Sequence, residues 1–149
     1  MREETSAISR LWSEGRLPVR DGAYDATGRA WDVVVDPAAP GGLLIADEFS
    51  LDAFLDARPD WVTAVDPTVE EQVGRGGGFL CCGEGSYGSE GFIARLDPRR
   101  KLLWAVYLED SDPFVSIDLR NDTARFRSSS GVTVTVDAGA RFFRPAGDA

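Results

Sequence analysis

In Lys101-Leu102-Leu103-Trp104-Ala105-Val106-Tyr107-Leu108-Glu109, every second position is apolar. Leu102, Trp104, Val106 and Leu108 share one face of a strand, because successive side chains of an extended chain point to opposite sides. Lys101, Leu103, Ala105, Tyr107 and Glu109 share the other face, which is mixed. Upstream, Gly91-Phe92-Ile93-Ala94-Arg95-Leu96 reads as a second strand, and Asp97-Pro98-Arg99-Arg100 as the turn between them. Proline presets φ at the second position of a type I turn, and an aspartate before it bonds the turn's backbone.

The pattern continues on both sides. Strands are expected over residues 114–119, 123–127 and 132–136, with Arg120-Asn121-Asp122 and the stretch 128–131 as turns. Residues 79–82 in front and Arg141-Phe142-Phe143 behind bring the run to about seven strands. The fold class is therefore α+β, with a predominantly antiparallel sheet as a C-terminal meander, sandwich or partial barrel. Leu96-Asp97-Pro98 with Leu103-Trp104 resembles the strand-turn-strand of a β-propeller blade of the quinoprotein-like kind. A propeller repeats its blade at a fixed period, and this chain carries no second copy, so the likeness is one of hairpin chemistry.

The first half reads differently. Ser6 is placed to cap a helix running to about Glu14, with Ile8, Leu11 and Trp12 as its buried stripe and Gly15 as its stop. Ala26-Thr27-Gly28-Arg29 reads as a hairpin turn before Val33-Val34-Val35. A second helix is expected over 47–58, with Ser50 as candidate cap and Leu51, Phe54 and Leu55 facing the core. Asp66-Pro67 has the form of a third helix opening, ended by Gly74. Two or three short helices in residues 1–75 would then cover a β-run in 76–144. No linker or repeat divides the chain, so 1–149 reads as one domain.

Composition bounds the chemistry. The apolar share of 43% and charged share of 28% are those of a globular domain. No apolar run reaches the roughly 20 residues of a membrane span, and no apolar signal core follows Met1, so a cytoplasmic location is expected. Cys81 and Cys82 are adjacent in an apolar strand that points them to opposite faces, so reduced thiols are expected. There is no histidine in the chain. That excludes Ser-His-Asp and Cys-His catalysis, histidine-bearing zinc sites and imidazole acid–base work.

The net charge of −9 is unevenly placed. Between residues 36 and 71 there are nine acids and one base, Arg58, whereas from Gln72 onward acids and bases cancel. Asp52 and Asp56, four apart, share a helix face opposite Leu51 and Phe54. Such an acidic surface serves solubility or docks a basic partner, and the docking reading names Asp47, Glu48, Asp52, Asp56, Asp60, Glu70 and Glu71. Nucleic acid is disfavoured, since an acidic surface repels phosphate.

Gly83-Glu84-Gly85-Ser86-Tyr87-Gly88 matches G-x-G-x-x-G and follows a strand. The dinucleotide version needs a helix next, and another strand follows instead. The segment also resembles the glycine-rich loop of protein kinases, which joins two strands. That family's lysine is replaced here by Tyr107 in Trp104-Ala105-Val106-Tyr107, and its histidine motif is absent. What remains is a glycine-rich hairpin, with Gly83, Gly85, Tyr87 and Gly88 as a candidate ligand loop. Glu109-Asp110-Ser111-Asp112-Pro113 is an acidic tip without EF-hand spacing.

No catalytic, metal or cofactor signature stands out. The expected function is a non-catalytic, acidic protein-binding module, of the kind an immunity protein or antitoxin uses against a basic partner. The alternative is a small-molecule binder with a pocket lined by Trp104, Tyr107 or Phe92. Residues 132–136 as an edge strand would offer a route to a homodimer.

Overall fold

The computed structural model describes residues 5–145. Two α-helices and eleven strands follow one another among them. The first half holds α1 (Ala7–Ser13), β1 (Arg16–Pro18), β2 (Gly22–Asp25), β3 (Ala30–Val35), β4 (Leu43–Phe49) and α2 (Leu51–Ala57). Then come β5 (Val62–Gln72), β6 (Phe79–Gly85), β7 (Gly91–Leu96), β8 (Leu102–Leu108), β9 (Phe114–Arg120), β10 (Thr123–Ser128) and β11 (Thr133–Asp137). Eight strands form one sheet in the order β1-β5-β6-β7-β8-β2-β3-β4, and the last three form a second in the order β11-β10-β9. Every pairing is antiparallel.

The central strands are buried on both faces, which is why β8 is apolar almost throughout. Trp104, Val106 and Leu108 pack with Leu80, Cys82 and Ile93 under Phe126, Val134 and Val136 of the small sheet. Ala105 and Tyr107 pack with Cys81, Phe92 and Ala94 under Ile8 of α1 and Leu51 of α2. The layers are helices, large sheet and small sheet. Each large apolar side chain fully buried in this way stabilises by about 1.5–3 kcal/mol. All six residues of β7 are buried, whereas α1 buries only Ala7, Ile8 and Leu11. The sheet is the scaffold and the helices are its lid.

Local expectations hold at several points. Ser6 and Ser50 cap α1 and α2, their hydroxyl oxygens accepting from the amides of Ser9 (3.3 Å) and Ala53 (3.1 Å). In the β7–β8 turn Asp97 Oδ1 accepts from the amides of Arg99 and Lys101 at 2.8 and 3.0 Å. The hairpin around Gly28 joins β2 to β3.

Other expectations are corrected. The first half is more than a covering: besides the two helices, residues 5–75 supply five strands of the large sheet. The third helix does not form: Asp66 and Pro67 lie inside β5, where the ladder to β6 shifts register between Pro67 and Val69. A bulge of this kind tolerates a residue with no amide hydrogen. Asp47 and Glu48 lie inside β4, just before its last residue Phe49, and are not helical. Arg141-Phe142-Phe143 is not a strand, since Phe143 turns inward and meets Trp104 edge-on, ring centroids 5.2 Å apart.

β11 is an edge strand, and its outer side is obstructed at both ends. The backbone of Gly42 lies against the Thr133 carbonyl, and Pro145 bridges Val136. The buried guanidinium of Arg95 donates to the carbonyls of Ala138 (2.8 Å) and Leu96 (2.5 Å), which ties the end of the small sheet to β7. No described helix is long and apolar enough to cross a membrane.

Candidate functional site: an acidic, aromatic cleft

One end of the large sheet gathers the C-terminal ends of β1, β6 and β8 with the N-terminal ends of β2, β5 and β7. A cleft of about 420 Å³ opens there. Its walls come from segments far apart in the chain: Val19, Asp60 and Trp61, then Tyr87, Ser89 and Glu90, then Tyr107, Glu109 and Asp110.

The walls are held in place by hydrogen bonds and a ring contact. The carbonyl of Trp61 accepts from the Val19 amide at 2.9 Å, and its ring meets Phe54 of α2 edge-on at 6.1 Å. The β6–β7 turn is tied to β5 by Ser86, whose hydroxyl donates to the Ala64 carbonyl at 3.1 Å. It is tied to the segment after β8 by the Asp112 amide, which donates to the Ser89 carbonyl at 2.8 Å. Tyr87 remains 75% exposed and Trp61 44% exposed, so both rings present surface to solvent.

Glu90 forms the floor and is only 2% exposed. Its carboxylate accepts from the Tyr87 amide at 2.8 Å and from the phenol of Tyr107. Gly85 makes this possible, because a Cβ there would lie 2.4 Å from Glu90 Oε1. Beside the cleft, Asp21 accepts from the Glu109 amide at 2.7 Å. Burial raises the pKa of Asp21 above its ordinary value, against the pull of that hydrogen bond, with Asp110 and Asp32 adding to the rise. Burial likewise raises Glu109, helped by Asp21, Asp110 and Glu90.

Among the described residues, none of Asp21, Asp60, Glu90, Glu109 and Asp110 takes part in an ion pair. Two arginines close in sequence to cleft residues are already engaged, one of them on the cleft wall itself. Arg20 is bidentate to Asp32 at 2.9 and 3.1 Å, and Arg58 stacks on Trp61 at 4.7 Å. No three described acids or thiols converge tightly enough to hold a metal ion. The acids are instead spread around aromatic walls, an arrangement that favours a large, diffuse positive charge.

Comparison with protein-family models, curated proteins and solved structures finds no match. The assignment therefore rests on the site's own chemistry.

The residues singled out in the sequence are distributed as follows. Asp60 and Tyr87 line the cleft. Gly83 and Gly85 lie in β6, and Gly88 takes a φ of +87° in the turn beside Tyr87. Asp52 and Asp56 are exposed on α2, and Glu71 is exposed on β5. Glu70 and Glu48 are already matched, held below the ordinary carboxylate range by hydrogen bonds from Arg100 and Arg29. Asp47 and Glu48 sit on β4, at one edge of the sheet, with five strands between them and β5. The acidic stretch of sequence is thus not one surface. Of the aromatic candidates, Tyr107 reaches the cleft, while Phe92 and Trp104 are core. Trp61, Glu90 and Asp21 had no local signal, because only the strand order brings them together.

Proposed function

We propose that the protein is a non-catalytic binding module that recognises a basic partner protein through this cleft. The observation that carries the reading is the set of carboxylates, in no ion pair among the described residues, around exposed aromatic rings. Carboxylates that share a partly dry site repel one another, and a bound cation relieves that repulsion. Asp52 and Asp56, exposed on α2 whose Phe54 meets Trp61, add negative charge that would steer a basic surface toward it, while Glu71 lies at the far end of β5.

The test is titration with short basic, neutral and acidic peptides, read by tryptophan fluorescence at low and high salt. Basic peptides alone are expected to bind, more weakly at high salt, and binding should disappear in the triple variant Asp60→Asn, Glu109→Gln, Asp110→Asn. Equal binding of all three peptide classes, or an unaffected triple variant, would count against the proposal. A second reading is supported by the cleft's volume, which falls in the range of about 300–1,000 Å³ typical of small-molecule sites. In that reading the ligand is a free organic cation.

A further inference from the structure

The large sheet repeats one device three times. Arg20 is bidentate to Asp32 and lies over the Phe49 ring at 3.6 Å. Arg29 is bidentate to Glu48 at 3.1 and 2.9 Å and lies over Trp31 at 4.9 Å. Arg100 is bidentate to Glu70 at 2.6 and 2.9 Å and lies over Phe79 at 4.1 Å. In each, a guanidinium takes a carboxylate in its plane and an aromatic ring against its face. That combination suits its flat, weakly hydrated charge and not the compact charge of an ammonium.

The cleft holds the same aromatic and carboxylate parts with no arginine among its lining residues: Arg58 reaches the Trp61 ring from outside that lining, and the exposed Tyr87 ring carries none among the described residues. Trp61 and Tyr87 offer exposed rings, Glu109 and Asp110 offer carboxylates at the rim, and Glu90 closes the floor. We infer that the cleft is a socket for one arginine side chain, supplied by a protruding segment of the partner protein. This rests on the binding reading above and narrows it to a single recognised group. The guanidinium would pair with a rim carboxylate while stacking on Trp61 or Tyr87, as the three internal arginines do on their own rings. A socket open on one side admits a side chain projecting from a loop, while the main chain stays at the rim.

The experiment is a ¹H–¹⁵N NMR titration with blocked single-residue peptides of arginine, lysine and citrulline, and with free methylguanidinium. The arginine peptide should shift the Trp61 indole and the amides of Tyr87, Ser89 and Glu90. It should bind about tenfold more tightly than the lysine peptide, with citrulline weaker still. Trp61→Ala and Tyr87→Ala, both at exposed rings, should each reduce that affinity while leaving the remaining spectrum in place. Equal affinity for arginine and lysine would overturn the arginine assignment and leave the cation reading standing. Binding of neither would overturn both. Citrulline binding as well as arginine would show that charge is not read. Methylguanidinium binding as tightly as the blocked peptide would remove the protein partner from the inference. Unaltered binding in both alanine variants would place the ligand elsewhere.

Discussion

Tyr107 donates its phenolic hydrogen to Glu90, and through this bond the buried core supports the floor of the cleft. Tyr107 packs with Phe92 and Ala105 beneath the helices, yet its hydroxyl end lines the cleft. A carboxylate as buried as Glu90 has no water to fall back on, so its donors decide whether the charge is tolerated.

Tyr107→Phe removes one of those donors and leaves Glu90 Oε2 unsatisfied. Loss of a partner at a buried polar atom costs about 1–3 kcal/mol. Urea denaturation should show a lower midpoint at unchanged slope, and any ligand titration should weaken as Glu90 seeks another donor. A midpoint equal to that of the parent protein would mean that the bond carries no stability.

Gly85→Ala attacks the same carboxylate from the other side. The added methyl would overlap Glu90 Oε1 at 2.4 Å and Cδ at 2.6 Å. Overpacking of this kind costs about 1–3 kcal/mol. Gly83→Ala should be more damaging, because its Cβ would meet the Asp66 carbonyl at 1.9 Å, and backbone gives way less readily than a side chain. Thermal unfolding of the two variants side by side should rank them in that order.

The glycines also show how much of this molecule its sequence discloses. The alternation in residues 101–109 was sufficient to place β8, and Asp97-Pro98 its turn, because hairpins are local objects. Ser6 and Ser50 marked their helices for the same reason. Pro67 misled, since a proline after aspartate opens a helix far more often than it sits in a bulge, and only the register with β6 reveals the bulge. The cleft was least legible of all. Trp61 and Tyr107 are 46 positions apart in the chain and meet only because β1 and β5 join the same sheet as β8. Charge counting pointed to residues 36–71, but Glu48 and Glu70 are neutralised there by arginines outside that stretch.

Cys81 and Cys82 should be chemically silent in the native protein. They face the two different cores, and burial pushes each thiol up to about 12. The reactive species is the thiolate, which is scarce at neutral pH for such a group. A disulfide-exchange dye should therefore label both thiols in denaturant and neither in buffer, except at the rate of unfolding. Rapid labelling in buffer would show that a core opens.

Asp21→Asn should make the protein more stable at pH 7. Burial and neighbouring acids raise the pKa of Asp21 from its ordinary 3.8, so the folded state binds this proton more tightly than the unfolded chain does. For an acid shifted upward, the folded state is favoured below the ordinary value, and that advantage is lost as pH rises through the folded value. Above that window the ionised group opposes folding. An asparagine cannot ionise, and its oxygen can still accept from the Glu109 amide, so the variant keeps the bond without the charge. The two proteins should converge in stability as pH falls below about 4, and the gap should open as pH rises toward neutrality. Because Asp21 also raises Glu109, the variant should let Glu109 ionise at lower pH, which can be followed by NMR titration of its carboxyl carbon. A variant less stable than the parent at pH 7 would mean that the hydrogen bond from Glu109 outweighs both burial and repulsion. In that case the charge at Asp21 is matched within the fold, and a cationic ligand would have less to relieve.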